Sequence, residues 1–350
     1  MIGLVYSQEG KTMGTDSVGI AGVGSYLPET VVDAWEAVKE SGISKEKFSR
    51  IGAAKLHLAA EGEMPSSMAV AASRRALDDA GLTPDDVDLI IYTGSVKDHS
   101  RWQASNKVQA DLEAFNSYVF DLYQGSSGQN MALSVGCSMI LDDPDLDTVL
   151  IAAGERWDTT LERPILGHSF IFGDGGSAAV LRRRHSDLVL LAWAHTTRGK
   201  HHAAFCVPDV GAGTKLTPEV FARGGHLFQF CSPKNRSPDE IKAFVEEFNQ
   251  IGKQTFELAA RRAHVAINDI DFVVMLNSSA HHNRYFLTEL GFSEEQSTLD
   301  YIAETGLLGT GDIFYNLQKA LSTSRVKKGD LVAFYTVGGG YSWTVTLVRA

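Results

Sequence analysis

The chain has 350 residues, of which 44% are apolar and 21% charged, and its formal net charge is −11 at pH 7. The composition is typical of a globular enzyme, and the length exceeds that at which one hydrophobic core usually stops growing, so we expect two domains or two fused halves. The excess negative charge argues against binding to nucleic acid, or to acidic membranes through a basic surface.

The N-terminal stretch MIGLVYSQEGKTMG has no basic segment followed by a hydrophobic block, so we interpret it as a frayed or added leader rather than a signal peptide. No apolar run reaches transmembrane length. The cysteines Cys137, Cys206 and Cys231 are odd in number and lack metal-ligand spacing, which indicates free thiols in a reducing compartment. We therefore expect a cytoplasmic protein.

Continuous apolar strands alternate with helices, a pattern typical of an α/β protein whose sheet is covered on both faces. Gly22 and Gly24 hint at a dinucleotide-binding loop, but Leu27 stands where the third glycine should be, and we discount this motif. The first half predicts a strand in SVGIAGVGSYLP, short amphipathic segments at Trp35–Lys39 and Lys45–Ile51, a serine-capped helix Ser66–Ala80, a strand Val87–Thr93, a helix Ser105–Phe115, a strand Asp147–Gly154, and a glycine turn and strand in Ile171–Arg184.

The second half repeats this order. INDIDFVVMLN echoes LTPDDVDLIIYTG, and DLVAFYTVGGG echoes DTVLIAAGE, which favours a duplicated fold with halves 1–185 and 186–350. The segment 196–237 breaks the regularity, is rich in Gly, His and Phe, and is interpreted as an inserted loop that could cover a site. The predicted elements here are the strand Leu188–Trp193, the helix Pro238–His264, the strand in Ile267–Asn277, the helices Asn283–Leu290 and Gly311–Leu321, and the strands Asp330–Gly340 and Ser342–Arg349.

The stretch FDLYQGSSGQNMAL joins a buried strand to a helix through a glycine-flanked corner and places Ser126 at the helix start. Free N–H groups and the helix dipole favour an anion there, as a nucleophile and its oxyanion require. The alternative is that Ser126 or Ser127 only caps the helix.

Several blocks in order along nearly the whole chain resemble the ketoacyl-ACP synthase III family of the thiolase fold: GVGSYLPETVV, RIGAAKLH, VDLIIYTGS, FDLYQGSSG, FGDGGSAAVL, DIDFVVML and VGGGYSW. The resemblance implies a duplicated five-layer α-β-α-β-α fold, usually a homodimer, that accepts an acyl group from CoA or acyl carrier protein. It also implies that Ser126 occupies the nucleophile position, and that the backbone N–H groups of Ser126 and Gly339 form the oxyanion hole.

The sequence departs from the family at each position of the usual triad. Ser126 replaces a cysteine, Leu276 or Asn277 replaces a histidine, and Leu307 follows Gly306 where an asparagine is usual. GLLGTGD resembles the GHLG form of branches that acylate alcohols or amines, and it keeps Asp312 but not the histidine.

A serine hydroxyl gains little from a helix dipole and needs a base, which Asn277 cannot be, although it could hold a carbonyl or orient the hydroxyl. His281 and His282 are the nearest titratable groups in sequence, and the alternative is that both are solvated. The histidines show no zinc-site spacing, so we expect no metal. Candidate substrate-binding residues are Arg50, Trp102, His282, Arg284 and Leu307, and candidate catalytic residues are Ser126, Asn277, His281 and Asp312.

Three accounts of Ser126 stay open: a serine nucleophile with a relocated histidine base, a remnant that binds a thioester without forming an acyl-enzyme, or a Cys→Ser replacement made to trap complexes. Our interpretation is a homodimeric acyltransferase of specialised metabolism that uses an acyl-CoA or acyl-carrier-protein thioester, with no cofactor, to acylate an oxygen or nitrogen acceptor. The alternatives are a chain-initiating 3-oxoacyl-ACP synthase III and a silent subunit that partners an active homologue.

Overall fold

The computed structural model describes residues 17–157, 170–231 and 237–350, so the predicted leader lies outside the described residues. Its strands are β1 Val18–Tyr26, β2 Thr30–Asp33, β3 Lys55–Leu58, β4 Leu89–Tyr92, β5 Tyr118–Asp121, β6 Thr148–Glu155, β7 Gly175–Arg183, β8 Val189–Thr197, β9 Phe205–Cys206, β10 Gln229–Phe230, β11 Phe272–Met275, β12 Leu331–Gly338 and β13 Ser342–Arg349. Its helices are α1 Ala34–Val38, α2 Lys45–Ile51, α3 Pro65–Ala80, α4 Ala104–Leu112, α5 Gly128–Asp142, α6 Pro218–Ala222, α7 Pro238–Ala263, α8 Ala280–Leu290, α9 Ile302–Thr305 and α10 Asp312–Ser322.

The main sheet has the strand order β11-β12-β13-β8-β1-β7-β6-β4-β5. Its two parts meet at the pair β1 and β8, where the register contains only Gly19 opposite Val189. From β4 to β1 the successive pairings are parallel, antiparallel and antiparallel, and from β11 to β8 they follow the same sequence. The topology is therefore that of a duplicated fold.

Helices form three layers around these two parts of the sheet. Helix α3 packs on β1, β6 and β7, and α7 packs on β8 and β13 at the opposite outer face. Helices α5 and α10 lie between the two parts, and α5 contacts strands of both. The predicted α/β thiolase fold with five layers is confirmed.

The ends of some elements differ from prediction for local reasons. Helix α3 begins at Pro65, whose missing N–H is not needed in the first turn, and the predicted cap Ser66 instead donates from its backbone N and its Oγ to Asp98, at 3.0 and 2.6 Å. Helix α8 begins at Ala280 because Ser279 caps it, so His281 and His282 lie in its first turn. Gly22 and Gly24 face α3, where an added Cβ would lie 2.3 Å from the carbonyl oxygens of Ala76 and Ala72 respectively, so both glycines serve helix packing.

Candidate active site

Ser126 lies in a 3-10 turn, Gly125–Ser127, that leads directly into α5. Two buried amide side chains hold the start of α5 between the parts of the sheet. Asn130 donates from Nδ2 to the carbonyl oxygens of Phe334 and Thr344, each at 3.1 Å, and Gln129 donates from Nε2 to the carbonyl oxygen of Ser177 at 3.0 Å. Because such buried hydrogen bonds are costly to break, they fix where the Ser126 turn sits.

Neither serine of the turn caps α5 through its side chain. Ser127 is fully buried and donates from Oγ to the carbonyl oxygen of Ser342 at 3.1 Å, which is a structural role. Ser126 lines a cavity instead, and its hydroxyl forms no hydrogen bond with any described residue. This placement leaves the Ser126 oxygen available for chemistry.

The glycine turn after β12 packs against the Ser126 turn. Gly125 has φ +53°, and a Cβ added there would lie 2.8 Å from the backbone N of Gly339. A Cβ on Gly338 would lie 2.2 Å from the carbonyl oxygen of Gln124. The structure therefore brings together the two stretches that the predicted oxyanion hole requires, and Ser126 and Gly339 line the same cavity.

The cavity has a volume of about 790 Å³ and a mainly apolar wall. The apolar side chains of the wall come from both halves and from the inserted segment. They include Trp157, Phe170, Phe172, Phe205, Val207, Phe228, Phe244, Phe248, Met275, Leu276, Phe286, Leu307, Tyr335 and Tyr341. A large apolar cavity with few polar groups is typical of a site for a hydrophobic small molecule.

The structure separates the two adjacent histidines. His282 lines the cavity, and its ring lies edge-on to Phe248 at 5.2 Å between ring centroids. Burial, with a smaller effect of His281, lowers the pKa of His282 from 6.5 to about 4, so its imidazole is neutral at pH 7 but is a weaker base than a solvated histidine. His281 is exposed on the same helix and does not line the cavity, so its position gives no support to the predicted role as the base.

Asn277 does not reach the cavity, because its side chain belongs to a buried polar network. Its Nδ2 donates to Thr305 Oγ1 at 3.1 Å, and its Oδ1 accepts from Asn316 Nδ2 at 2.9 Å. The neighbouring Leu276 occupies the cavity wall in its place. The predicted catalytic role of Asn277 is therefore not supported by its position.

Asp312 is also buried away from the cavity wall. Its carboxylate oxygens accept from the backbone N–H groups of Leu308 and Asn277, both at 2.9 Å, and burial raises its pKa to about 8. These contacts hold the loop that carries Leu307, so the structure gives Asp312 a positioning role where we predicted a catalytic one.

Of the predicted substrate-binding residues, Leu307 and His282 line the cavity, but Arg50, Trp102 and Arg284 do not. Arg50 is exposed and paired with Glu46 at 2.7 Å, and Arg284 is exposed and paired with Glu294. The Arg50 pair has the i, i+4 spacing on a helix, which was readable from the sequence. Trp102 packs edge-on against the cavity-lining residue His99, with 5.3 Å between ring centroids.

Sequence reasoning missed Glu155, which is fully buried behind the Ser126 turn. It accepts from the backbone N–H groups of Ser95 and Val96 at 2.8 and 3.0 Å, and burial raises its pKa to about 7. Thr310, whose N–H also points at Glu155, donates from Oγ1 to the carbonyl oxygen of Gly125 at 3.2 Å. The sequence signal that could have identified Glu155 is a charged residue at the end of an apolar strand.

His202 was also missed as a site residue, although the inserted segment that carries it was predicted to cover a site. It lines the cavity and lies beside the glycine turn, where a Cβ on Gly340 would be 3.9 Å from its carbonyl oxygen. Its neighbours Phe205 and Val207 line the cavity as well. The inserted segment thus contributes a wall of the candidate site.

Comparisons with known proteins agree with this fold. A family model described as 3-oxoacyl-[acyl-carrier-protein (ACP)] synthase III matches residues 120–199, and its C-terminal counterpart matches residues 260–350. The beta-ketoacyl-[acyl-carrier-protein] synthase III of Roseobacter denitrificans is 28% identical over 336 residues, and that of Paramagnetospirillum magneticum is 29% identical over 338; each alignment covers 94% of this chain and 98% of the relative.

Solved structures show the same fold at lower identity. The 3-oxoacyl-[acyl-carrier-protein] synthase III of Aquifex aeolicus matches with a TM-score of 0.78 and 23% identity, covering 95% of this chain and 100% of that one. The acyltransferase ChlB3 matches with a TM-score of 0.80 and 22% identity, covering 95% and 98%. The site and the fold define a thiolase-fold protein that transfers or condenses acyl groups. In both matched regions, and along 94% of its length, the chain is similar to the 3-oxoacyl-[acyl-carrier-protein] synthase III proteins.

Proposed function

We propose that this protein is an acyltransferase in which Ser126 receives an acyl group from a CoA or acyl-carrier-protein thioester and passes it to an oxygen or nitrogen acceptor. The observation that carries the proposal is the position of Ser126. Its hydroxyl lies at the wall of a large apolar cavity, in a helix-entry turn packed against the amide of Gly339. The cavity would hold the acyl chain, and the amides would stabilise the oxyanion.

His282 is our candidate for the base that activates Ser126. In the proposed acylation, the imidazole accepts the Ser126 proton while the serine oxygen bonds to the thioester carbon. The C–S bond then breaks, and the departing thiolate takes the proton from His282 to leave as a thiol. Deacylation repeats these transfers with the acceptor hydroxyl or amine in place of serine.

Claisen condensation has less support in the cavity. Decarboxylation of a malonyl thioester needs hydrogen-bond donors at the enolate oxygen, and Leu276 and Leu307 present none from their side chains. A 3-oxoacyl synthase nevertheless stays the second candidate function, because the relatives at 28% and 29% identity carry that name.

The primary test is mass spectrometry of the intact protein after incubation with acyl-CoA donors of increasing chain length. We expect a mass increase equal to the acyl group, located on the peptide that contains Ser126 and absent in Ser126→Ala. A Ser127→Ala variant is the matched control and should still become acylated, because the Ser127 hydroxyl is buried and points at Ser342. No adduct with any donor would overturn the proposal and favour a silent subunit.

A second measurement separates the two enzyme functions. The acylated protein is given malonyl-acyl carrier protein, and carbon dioxide release is followed. We expect none, together with loss of the adduct when small alcohols or amines are supplied. Carbon dioxide release that depends on Ser126 would instead establish condensation.

We also propose that the protein is a homodimer in the cytoplasm. Strand β5 lies at the end of the main sheet, and its first residue Tyr118 and the preceding Phe115 are each 69% exposed, which is unusual for large apolar side chains in a monomer. No helix within the described ranges is long and apolar enough to cross a membrane. Sedimentation equilibrium should give twice the chain mass, and Tyr118→Lys should shift it towards one chain.

A further inference from the structure

The inserted segment contains a two-stranded hairpin that brings two cysteines together. Strands β9 and β10 pair antiparallel, with Cys206 opposite Gln229 and Phe205 opposite Phe230. Cys231 continues this hairpin, since its backbone N–H donates to the carbonyl oxygen of Ala204 at 2.8 Å. The Sγ atoms of Cys206 and Cys231 are 2.7 Å apart, and both thiols are half-buried.

The same hairpin forms the aromatic wall of the cavity. Phe205 and Phe228 both line it, and their rings are stacked with 5.9 Å between centroids. Phe205 also faces the glycine turn, because a Cβ on Gly339 would lie 3.7 Å from its Cβ. Cys206 therefore lies one residue, and Cys231 three residues, from a wall that faces the candidate oxyanion pocket.

The third cysteine differs from the pair in position and accessibility rather than in the direction of its pKa shift, because burial raises the pKa of the Cys206 thiol as well, to about 11. Cys137 lies outside the hairpin in α5 and is only 3% exposed, which keeps it from a soluble disulfide. It therefore serves as an internal reference for any measurement on the pair.

We propose that Cys206 and Cys231 are a redox modification site whose intrachain disulfide fixes the aromatic wall of the cavity. With glutathione disulfide as oxidant, one cysteine thiolate attacks the S–S bond and releases a glutathione thiolate. The second cysteine then displaces the other glutathione from the mixed disulfide. The pair loses two electrons and two protons, and two glutathione molecules gain them. The new bond joins the two ends of the segment between residues 206 and 231, and so restricts the movement of Phe205 relative to Phe228.

The first test equilibrates the full-length protein with excess glutathione disulfide, blocks free thiols with N-ethylmaleimide and maps peptides without reduction. We expect a cross-linked peptide joining Cys206 to Cys231, full labelling of both after dithiothreitol, and no cross-link in Cys206→Ser or Cys231→Ser. Cys137→Ser should cross-link as the wild type does. Both cysteines remaining open to N-ethylmaleimide, a stable glutathione adduct on either, or a cross-link between chains would overturn the proposal.

The second test asks whether the bond fixes the wall. Hydrogen exchange of backbone amides between residues 204 and 231 is compared in reduced and oxidised protein. We expect oxidation to slow it severalfold in the wild type and not at all in Cys206→Ser. Equal exchange in both redox states of the wild type would contradict a role for the disulfide at the cavity.

Discussion

Replacement of Gly125 by alanine would test whether the Ser126 turn depends on its contact with Gly339. Gly125 has φ +53°, a conformation that costs an L residue about 1–2 kcal/mol. The added Cβ would also lie 2.8 Å from the backbone N of Gly339 and 3.6 Å from two backbone atoms of Gly338. Because these neighbours are backbone, they cannot swing aside, and overpacking of this kind adds about 1–3 kcal/mol.

A matched control separates backbone strain from the clash. Gly81 ends α3 with φ +66°, and a Cβ there would meet no atom within 4 Å. Gly81→Ala should therefore lose only the strain of about 1–2 kcal/mol, while Gly125→Ala should lose about 2–5 kcal/mol in total, as measured by urea unfolding. Gly339→Ala is a second control, since its Cβ would make ordinary contact with Phe205 at 3.7 Å.

Acylation should distinguish the variants more sharply than stability does. In folded Gly125→Ala the amide of Gly339 must move away from the Ser126 turn, and loss of one oxyanion donor lowers a rate about 10²–10³-fold. We expect that loss in the rate of acyl-adduct formation, with Gly81→Ala close to wild type. If folded Gly125→Ala acylates at the wild-type rate, the contact between Gly125 and Gly339 does not hold an oxyanion pocket, and the proposed role of the Gly339 amide is refuted.

Four further predictions concern buried groups. His282→Ala should slow acylation about 10²-fold or more in stopped-flow assays while His281→Ala should not, and equal rates in both would remove His282 as the base. Because the unfolded chain protonates His282 below about pH 6.5 and the folded protein only near pH 4, its burial should cost up to about 3 kcal/mol of unfolding free energy as the pH falls through that range, a loss absent in His282→Ala. Asn277→Ala should destabilise the fold by about 1–3 kcal/mol, because Asn316 Nδ2 and Thr305 Oγ1 each lose one hydrogen bond in a buried network, yet folded protein should acylate normally; a specific loss of rate would restore a catalytic role. Tyr335 has a buried hydroxyl with no partner in the described structure, so Tyr335→Phe should raise the unfolding free energy by about 1 kcal/mol in calorimetry, and a decrease would show that the hydroxyl is satisfied.

The fold was largely predictable because its signals are local and repeated. Apolar strands such as DTVLIAAG and DLVAFYTVG are continuous, and glycine turns mark their ends, so their order indicated a duplicated α/β fold. The position of Ser126 was predictable for the same reason, since strand, corner and helix adjoin in sequence. The helix-entry turn is a property of that short stretch.

Only the tertiary packing determined which side chains point into the cavity. His281 and His282 are adjacent on α8, and the contact of His282 with Phe248 of α7 determines which of them reaches the cavity. Asn277 turns away because Asn316, which is 39 positions further along the chain, captures its amide. Adjacent helix residues point about 100° apart, so a sequence that specifies the helix leaves its rotation open until distant elements pack against it.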